Sequence, residues 1–185
     1  MIAQTDYLAR LAAIHQSLGI DPGYGCARGL SPQIEATALV EVGPDKFGRD
    51  ARLVADAAAA WMAMRDAAAS DGVVLELVSA FRSVDYQRGL IERKLAAGLA
   101  IDAILEASAA PGYSEHHTGR AVDLGTPGSP ELEEVFEATA AFAWLARHAA
   151  RYGFRLSFPR DNPHGILYEP WHWAYTGIQA ENPIA

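Results

Sequence analysis

An α+β fold with an antiparallel central sheet flanked by helices is the class this chain predicts, on three observations. The β-rich runs are short, at Val73–Val78, Ala121–Gly125, Phe154–Phe158 and Ile166–Tyr175. Segments of helical apolar spacing precede and alternate with them irregularly, without the repeating unit of a doubly wound sheet. The 185 residues, 50% hydrophobic and 21% charged, fit one domain that buries a full core.

Taken in order, the first twenty residues read as a short amphipathic helix, with Tyr7, Leu8, Leu11, Ala12, Ile14, His15 and Leu18 interrupted by Asp6, Arg10 and Gln16. Residues 21–50 carry Asp21-Pro22-Gly23, Gly25, Gly29, Ser31-Pro32 and Gly43-Pro44-Asp45, too much punctuation for a long element, and are expected to be an irregular covering segment. This divides the chain into residues 1–49, an N-terminal helix and cover, and residues 50–185, the functional core, in one domain overall. A buried helix is predicted from an Asp50 cap to about Ala69, stopped by Ser70-Asp71-Gly72.

The Val73–Val78 strand runs into Ser79-Ala80-Phe81-Arg82-Ser83, and Ser83 caps a predicted helix from Val84 to about Ala97, bounded by Gly98. A shorter helix over Ile101–Ala109 ends at Pro111-Gly112, which opens a loop carrying His116. After the Ala121–Gly125 strand, Pro130-Glu131-Leu132-Glu133-Glu134 reads as a helix start, proline early and acids in the first turn. Phe136, Phe142, Trp144, Leu145 and Ala149 supply its apolar face as far as Gly153. Two strands then flank a turn at Asp161-Asn162-Pro163-His164-Gly165.

A net charge of -8 with pI near 5.2, and no Lys or Arg cluster to offset it, disfavours nucleic acid and anionic membranes. Any anionic substrate must be held locally. No run reaches the roughly 18 apolar residues of a membrane span, and no basic stretch precedes an apolar run as in a signal peptide. Cys26 has no partner for an internal disulfide and is expected to be a small buried or half-buried apolar residue.

The chemistry concentrates in Ser114-Glu115-His116-His117-Thr118-Gly119-Arg120-Ala121-Val122-Asp123 and, far downstream, Glu169-Pro170-Trp171-His172. These supply two imidazoles and a carboxylate able to form a three-ligand metal site, plus a second carboxylate three residues before the last imidazole. That is the inventory of a zinc hydrolase: a catalytic zinc keeps one position for water, lowers its pKa to about 7, and needs a neighbouring base, for which Glu169 is the candidate. Two neutral imidazoles and one carboxylate leave the ion a Lewis acid, which several thiolates would quench. On an ideal strand Glu169 and His172 would face opposite sides, since their separation is odd, so Pro170 is expected to break the strand there.

Ser114, His116, Gly119, Ala121 and Asp123, with Glu169, Trp171 and His172, resemble the zinc D-alanyl-D-alanine carboxypeptidases of the VanY type, within a larger group that includes lysostaphin-like peptidases and the hedgehog domain. The resemblance spans roughly residues 50–176, because Ser79-Ala80-Phe81-Arg82-Ser83 with Gln87 looks like that family's arginine motif and Gly165-Ile166 with Tyr168–Trp173 like its closing segment. It implies a hedgehog/D,D-peptidase-like fold and Zn²⁺ on His116, Asp123 and His172. It also implies a Glu169 base and a substrate-orienting Arg82, with Ser114 and Gln87 near the substrate. The implied activity is hydrolysis of a C-terminal D-alanine amide bond in a peptidoglycan stem peptide or another D-Ala-terminated peptide. An L,D-carboxypeptidase, a D,D-dipeptidase, an endolysin-type endopeptidase and a non-catalytic zinc-containing binding module are the alternatives. A cell-wall substrate implies a periplasmic or extracellular place of action.

Several residues keep more than one reading. Arg82 offers a rigid fork for a carboxylate or an oxyanion, against the ordinary role of a capping or surface arginine. Ser114 either bonds the substrate or organises its loop, and His117, where relatives often carry Gln, is a bystander, a partner to a ligand or a substrate contact. Trp144, Tyr168, Trp171 and Trp173 are expected in the core or pocket wall. His15, His148 and His164 are expected to be structural or solvent-facing, and the Glu131–Glu137 acids a solvated face.

Overall fold

The computed structural model describes residues 2–177. A four-stranded antiparallel sheet lies at its centre, formed by β3 (Glu76–Ser79), β4 (Ala121–Gly125), β5 (Phe154–Leu156) and β6 (His172–Tyr175) in the order β3-β4-β6-β5. Around it lie α1 (Ile2–Leu18), the single turn α2 (Tyr24–Ala27), α3 (Ala55–Ser70), α4 (Val84–Ala96), α5 (Ile101–Glu106) and α6 (Ala140–His148). A separate antiparallel ribbon pairs β1 (Val40–Pro44) with β2 (Asp50–Leu53).

Strand β4 is buried along its whole length, so its alternation separates two environments. Val122 and Leu124 join a core with Leu53, Trp61, Met64, Leu77, Trp144 and Trp173, between the sheet and helices α3 and α6. Each such large apolar side chain contributes roughly 1.5–3 kcal/mol by leaving water. Asp123 points to the opposite face. A second core joins α1, α4 and α5 through Leu11, Ile14, Val84, Ile91, Ile104 and Leu105. His15 Nε2 meets the Pro111 carbonyl at 2.7 Å, so α1 also steadies the corner that leads to His116.

Local signals held where the cap itself decides the boundary. Ser83 Oγ accepts from the Tyr86 N–H at 3.0 Å and starts α4, and Gly98 beyond its end has φ +87°. The structure corrects other expectations. Asp50 does not cap α3: Asp50–Leu53 alternates exposed and buried, pairs with Val40–Pro44, and the helix begins at Ala55. Period-two burial of Ala51 and Leu53 overrides the cap-like carboxylate. Residues 21–50 therefore contain a strand and a helical turn as well as irregular backbone. Pro130 starts no helix either. The chain makes a 3₁₀ turn at Glu134–Ala138, and α6 starts only where Thr139 Oγ accepts from the Phe142 N–H at 3.1 Å. Cys26 is exposed rather than half-buried. Among the described residues no helix is long and apolar enough to cross a membrane.

Candidate active site

Three separate pieces of backbone converge on the polar face of the sheet. Asp123 and His172 are directly opposed residues of β4 and β6, which sets two side chains side by side on one face. His116 arrives from a 3₁₀ turn, Glu115–Thr118, that ends at Gly119 in the left-handed region (φ +66°). A Cβ on Gly119 would lie 2.8 Å from Leu39 Cδ2 and 3.2 Å from the Val54 nitrogen, so glycine meets both a conformational and a steric demand there.

One ligand atom from each of His116, Asp123 and His172 lies within 4.8 Å of the others, and all three residues are buried. The two imidazoles are oriented differently. His116 Nδ1 meets the Ala80 carbonyl at 2.6 Å, which turns Nε2 inward, 3.1 Å from Asp123 Oδ2 but without hydrogen-bond geometry to any partner. His172 is turned the other way, with Nδ1 3.0 Å from Asp123 Oδ1 and Nε2 2.9 Å from Glu115 Oε2. The sequence reading did not assign Glu115 a role. It also takes Arg155 at 3.2 Å, and its only signal in the sequence was its place beside His116.

The electrostatics follow the burial. Desolvation lowers His116 to about 4, with the Arg82 charge adding to it, so this ring is neutral. Burial alone would also depress His172, but hydrogen bonds to Asp123 and Glu115 outweigh it and lift the ring to about 10. Burial opposes ionisation of Asp123, yet the neighbouring His116, His172 and Arg82 hold it well below its ordinary value. Glu115 is likewise brought down to about 2, against its burial, chiefly by the hydrogen bond to His172. Glu169 goes the other way: burial, unmatched by any hydrogen bond, pushes its carboxyl up to about 7.

Glu169 Oε2 is 3.8 Å from His172 Nδ1. The strand-parity difficulty disappears because β6 starts at His172: Glu169 precedes it in a turn, with the His172 N–H donating to the Glu169 carbonyl at 3.1 Å. Arg82 leaves β3 and brings Nη2 within 3.7 Å of Asp123 Oδ2, while its buried Nε has no partner. Its backbone is held through His117, whose Nδ1 meets the Arg82 carbonyl at 2.6 Å and whose Nε2 accepts from the Gly112 N–H at 3.0 Å. Both nitrogens of His117 are thereby used inside the protein, and burial lowers its pKa.

A cleft of about 650 Å³ opens over these groups. Arg82, Gln87, Ser114, Tyr168, Glu169 and Trp171 line it, whereas Trp144 and Trp173 lie in the sheet core. Gln87 is 2% exposed; its Nε2 donates to the Ala109 carbonyl at 2.8 Å and its Oε1 is unpartnered. His15, His148 and His164 are away from the cleft lining, packed on Tyr113, Trp144 and the Arg28 carbonyl respectively.

Comparison with known proteins agrees with the fold. YodJ of Bacillus subtilis (strain 168) is 38% identical over 133 residues, covering 70% of this chain and 48% of its own, so the chain spans about half the length of the curated relatives it matches. The solved structure of the LdcB LD-carboxypeptidase, described with its peptidoglycan recognition, superposes with a TM-score of 0.71 at 32% identity, over 80% of this chain and 72% of that one. A mutant of the vancomycin-resistance D,D-pentapeptidase VanY, solved in complex with Zn(II), gives a TM-score of 0.63 at 27% identity, over 80% and 84% of the two chains. Residues 50–178 match the family model VanY, D-alanyl-D-alanine carboxypeptidase, and with three motif blocks meeting in one cleft the chain belongs to that family.

Proposed function

We propose that this chain is a zinc-dependent carboxypeptidase that hydrolyses the amide bond before a C-terminal D-alanine of bacterial peptidoglycan peptides, with Glu169 as general base. The observation that carries the reading is the convergence of His116, Asp123 and His172 beside a buried carboxyl, within the segment that matches the family.

The donor set fits zinc. His116 offers an inward Nε2 that is buried and has no hydrogen-bond partner, His172 offers Nδ1, and Asp123 adds one carboxylate. The Zn(II) complex of the related VanY supports the same metal here. When bound, zinc would supply Lewis acidity toward a carbonyl oxygen and a lower pKa for water.

The protein's own groups do the rest. Glu169, with its carboxyl near 7, takes a proton from the attacking water and passes it to the departing amine, a transfer that works best when the carrier's pKa lies near the ambient pH. Arg82, its Nε unpartnered at the cleft, receives the negative charge at the substrate's C-terminal end, either the developing oxyanion or the terminal carboxylate. Gln87 Oε1 is an acceptor for a substrate N–H, and Ser114 lines the same end. The likeness to LdcB favours a second reading, an L,D-carboxypeptidase acting with the same groups on a shorter stem peptide.

Mass spectrometry of products from defined tri-, tetra- and pentapeptides with zinc present separates the two. Loss of one residue from the pentapeptide supports the first, loss of the terminal residue from the tetrapeptide alone supports the second, and no cleavage by the zinc-loaded protein rejects both. Glu169→Ala is expected to keep its zinc and lose about 10²–10⁴-fold in kcat.

A further inference from the structure

Helix α4 carries Gln87, Leu90 and Lys94 on one face, and all three line the cleft. Their spacing of three and four residues makes that wall continuous. Lys94 Nζ is tied to Ser108 Oγ at 2.7 Å, on the segment whose Ala109 carbonyl also holds Gln87, so the ammonium is tethered and not free to sweep through solvent. Several cations pair with acids, Arg10 with Asp85, Lys46 with Glu76 and Glu131, and Arg160 with Glu134 and Glu137, but none of these cations lines the cleft. Lys94 forms no salt bridge among the described residues, in a protein of net charge -8. Burial, reinforced by the Arg82 charge, lowers its pKa, and the opposing charge of Glu169 does not offset them.

We propose that Lys94 is the anchor for a second carboxylate of the substrate, one carried by an acidic residue on the N-terminal side of the scissile bond. This rests on the carboxypeptidase reading above. In a carboxypeptidase the reacting carbonyl and the terminal carboxylate belong to adjacent residues, within about 4 Å of chain. Gln87 and Lys94 are seven helical residues apart, roughly 10 Å along the axis, or about three residues of extended peptide. Only the N-terminal arm of the substrate extends that far, because a single residue lies on the other side of the bond. The substrate class is therefore a D-Ala-terminated peptide with a free acidic side group about two or three residues before its end, and a peptide amidated at that group is a poorer one.

The test uses two matched peptides ending in D-alanine, one with the internal carboxylate and one with a carboxamide in its place, on the zinc-loaded full chain. The parent should favour the carboxylate peptide about tenfold in KM with little change in kcat, Lys94→Met should erase that preference, and Lys94→Arg should keep most of it. Calorimetric binding of both peptides to the Glu169→Ala protein, with and without Lys94→Met, should give the same tenfold ratio and the same loss. If the parent cleaves both peptides without preference, or Lys94→Met cleaves both with the parent's preference intact, the Lys94 assignment falls and the peptidase reading stands. If neither peptide is cleaved or bound by the zinc-loaded parent, the peptidase reading itself falls, and the Lys94 assignment with it.

Discussion

Glu115 lies next to His116 in the chain but bonds His172, the proposed ligand 57 residues further on. A carboxylate on the outer nitrogen of a ligating imidazole fixes which nitrogen faces the metal and raises its basicity, which is commonly worth 10–100-fold in metal affinity. Glu115→Ala is therefore expected to weaken zinc binding about 10–100-fold, and Glu115→Gln, which keeps an acceptor, by less. A chelator competition titration measures both, and an unchanged Kd in Glu115→Ala would leave the carboxylate with only its Arg155 ion pair to explain it. His117 is the contrasting neighbour. Sequence left it three roles, and its two hydrogen bonds assign it a fourth: a brace between the arginine strand end and the Gly112 corner.

At the scale of elements, the site depends on a register and on a turn. Val122 and Leu124 must face the core, and pairing β4 with β6 so that Val122 meets Trp173 sets Asp123 opposite His172. A one-residue slip would bury the acid in the apolar core. The turn that returns His116 toward Asp123 depends on Gly119. Gly119→Ala is expected to cost about 2 kcal/mol from the left-handed backbone alone, with the Leu39 and Val54 contacts adding to it. Urea unfolding of the metal-free protein reads that loss, and stability equal to the parent's would contradict the steric account. Helix α4 was legible in the sequence because its start is a local event, one serine side chain on one N–H. The start of α3 was not, because Asp50 satisfies the local rule for a cap while long-range pairing with Val40–Pro44 takes it into a strand. The Glu131–Glu134 acids misled in the same way. They look like the first turn of a helix, but Glu131 and Glu134 are engaged by Lys46 and Arg160, from distant parts of the chain.

For the molecule as a whole, a metal at this site would clasp the 3₁₀ turn to the two central strands. Binding only to the folded state, it would add about 2.7 kcal/mol of stability at a free concentration one hundred times Kd. The linkage to pH has a definite sign. In the metal-free protein His172 is lifted to about 10, so its proton stabilises the fold fully below its ordinary value of 6.5, and that contribution is lost as pH rises through 10. A metal at Nδ1 displaces that proton, whereas His116, at about 4, has none to lose. At pH 8, where Glu169 is already largely ionised, about two protons should be released per zinc bound, one from His172 and one from a water that the metal would bring to a pKa of about 7. Calorimetry in buffers of different ionisation heat measures it, and release of about one proton or fewer would mean that His172 is not a ligand.

The sequence by itself determined which residues could do the chemistry and roughly which element carries each. Residue types, caps and the β4 run are properties of short stretches, and the three motif blocks stand in the chain in a readable order. The tertiary structure alone decided how those residues meet: that β6 begins at His172 and frees Glu169 from strand parity, that Glu115 crosses to His172, and that Lys94 stands in the cleft wall with no salt bridge among the described residues. Each of these depends on strand register and on desolvation by distant residues. Both are fixed only when the apolar faces of separate segments close on one another.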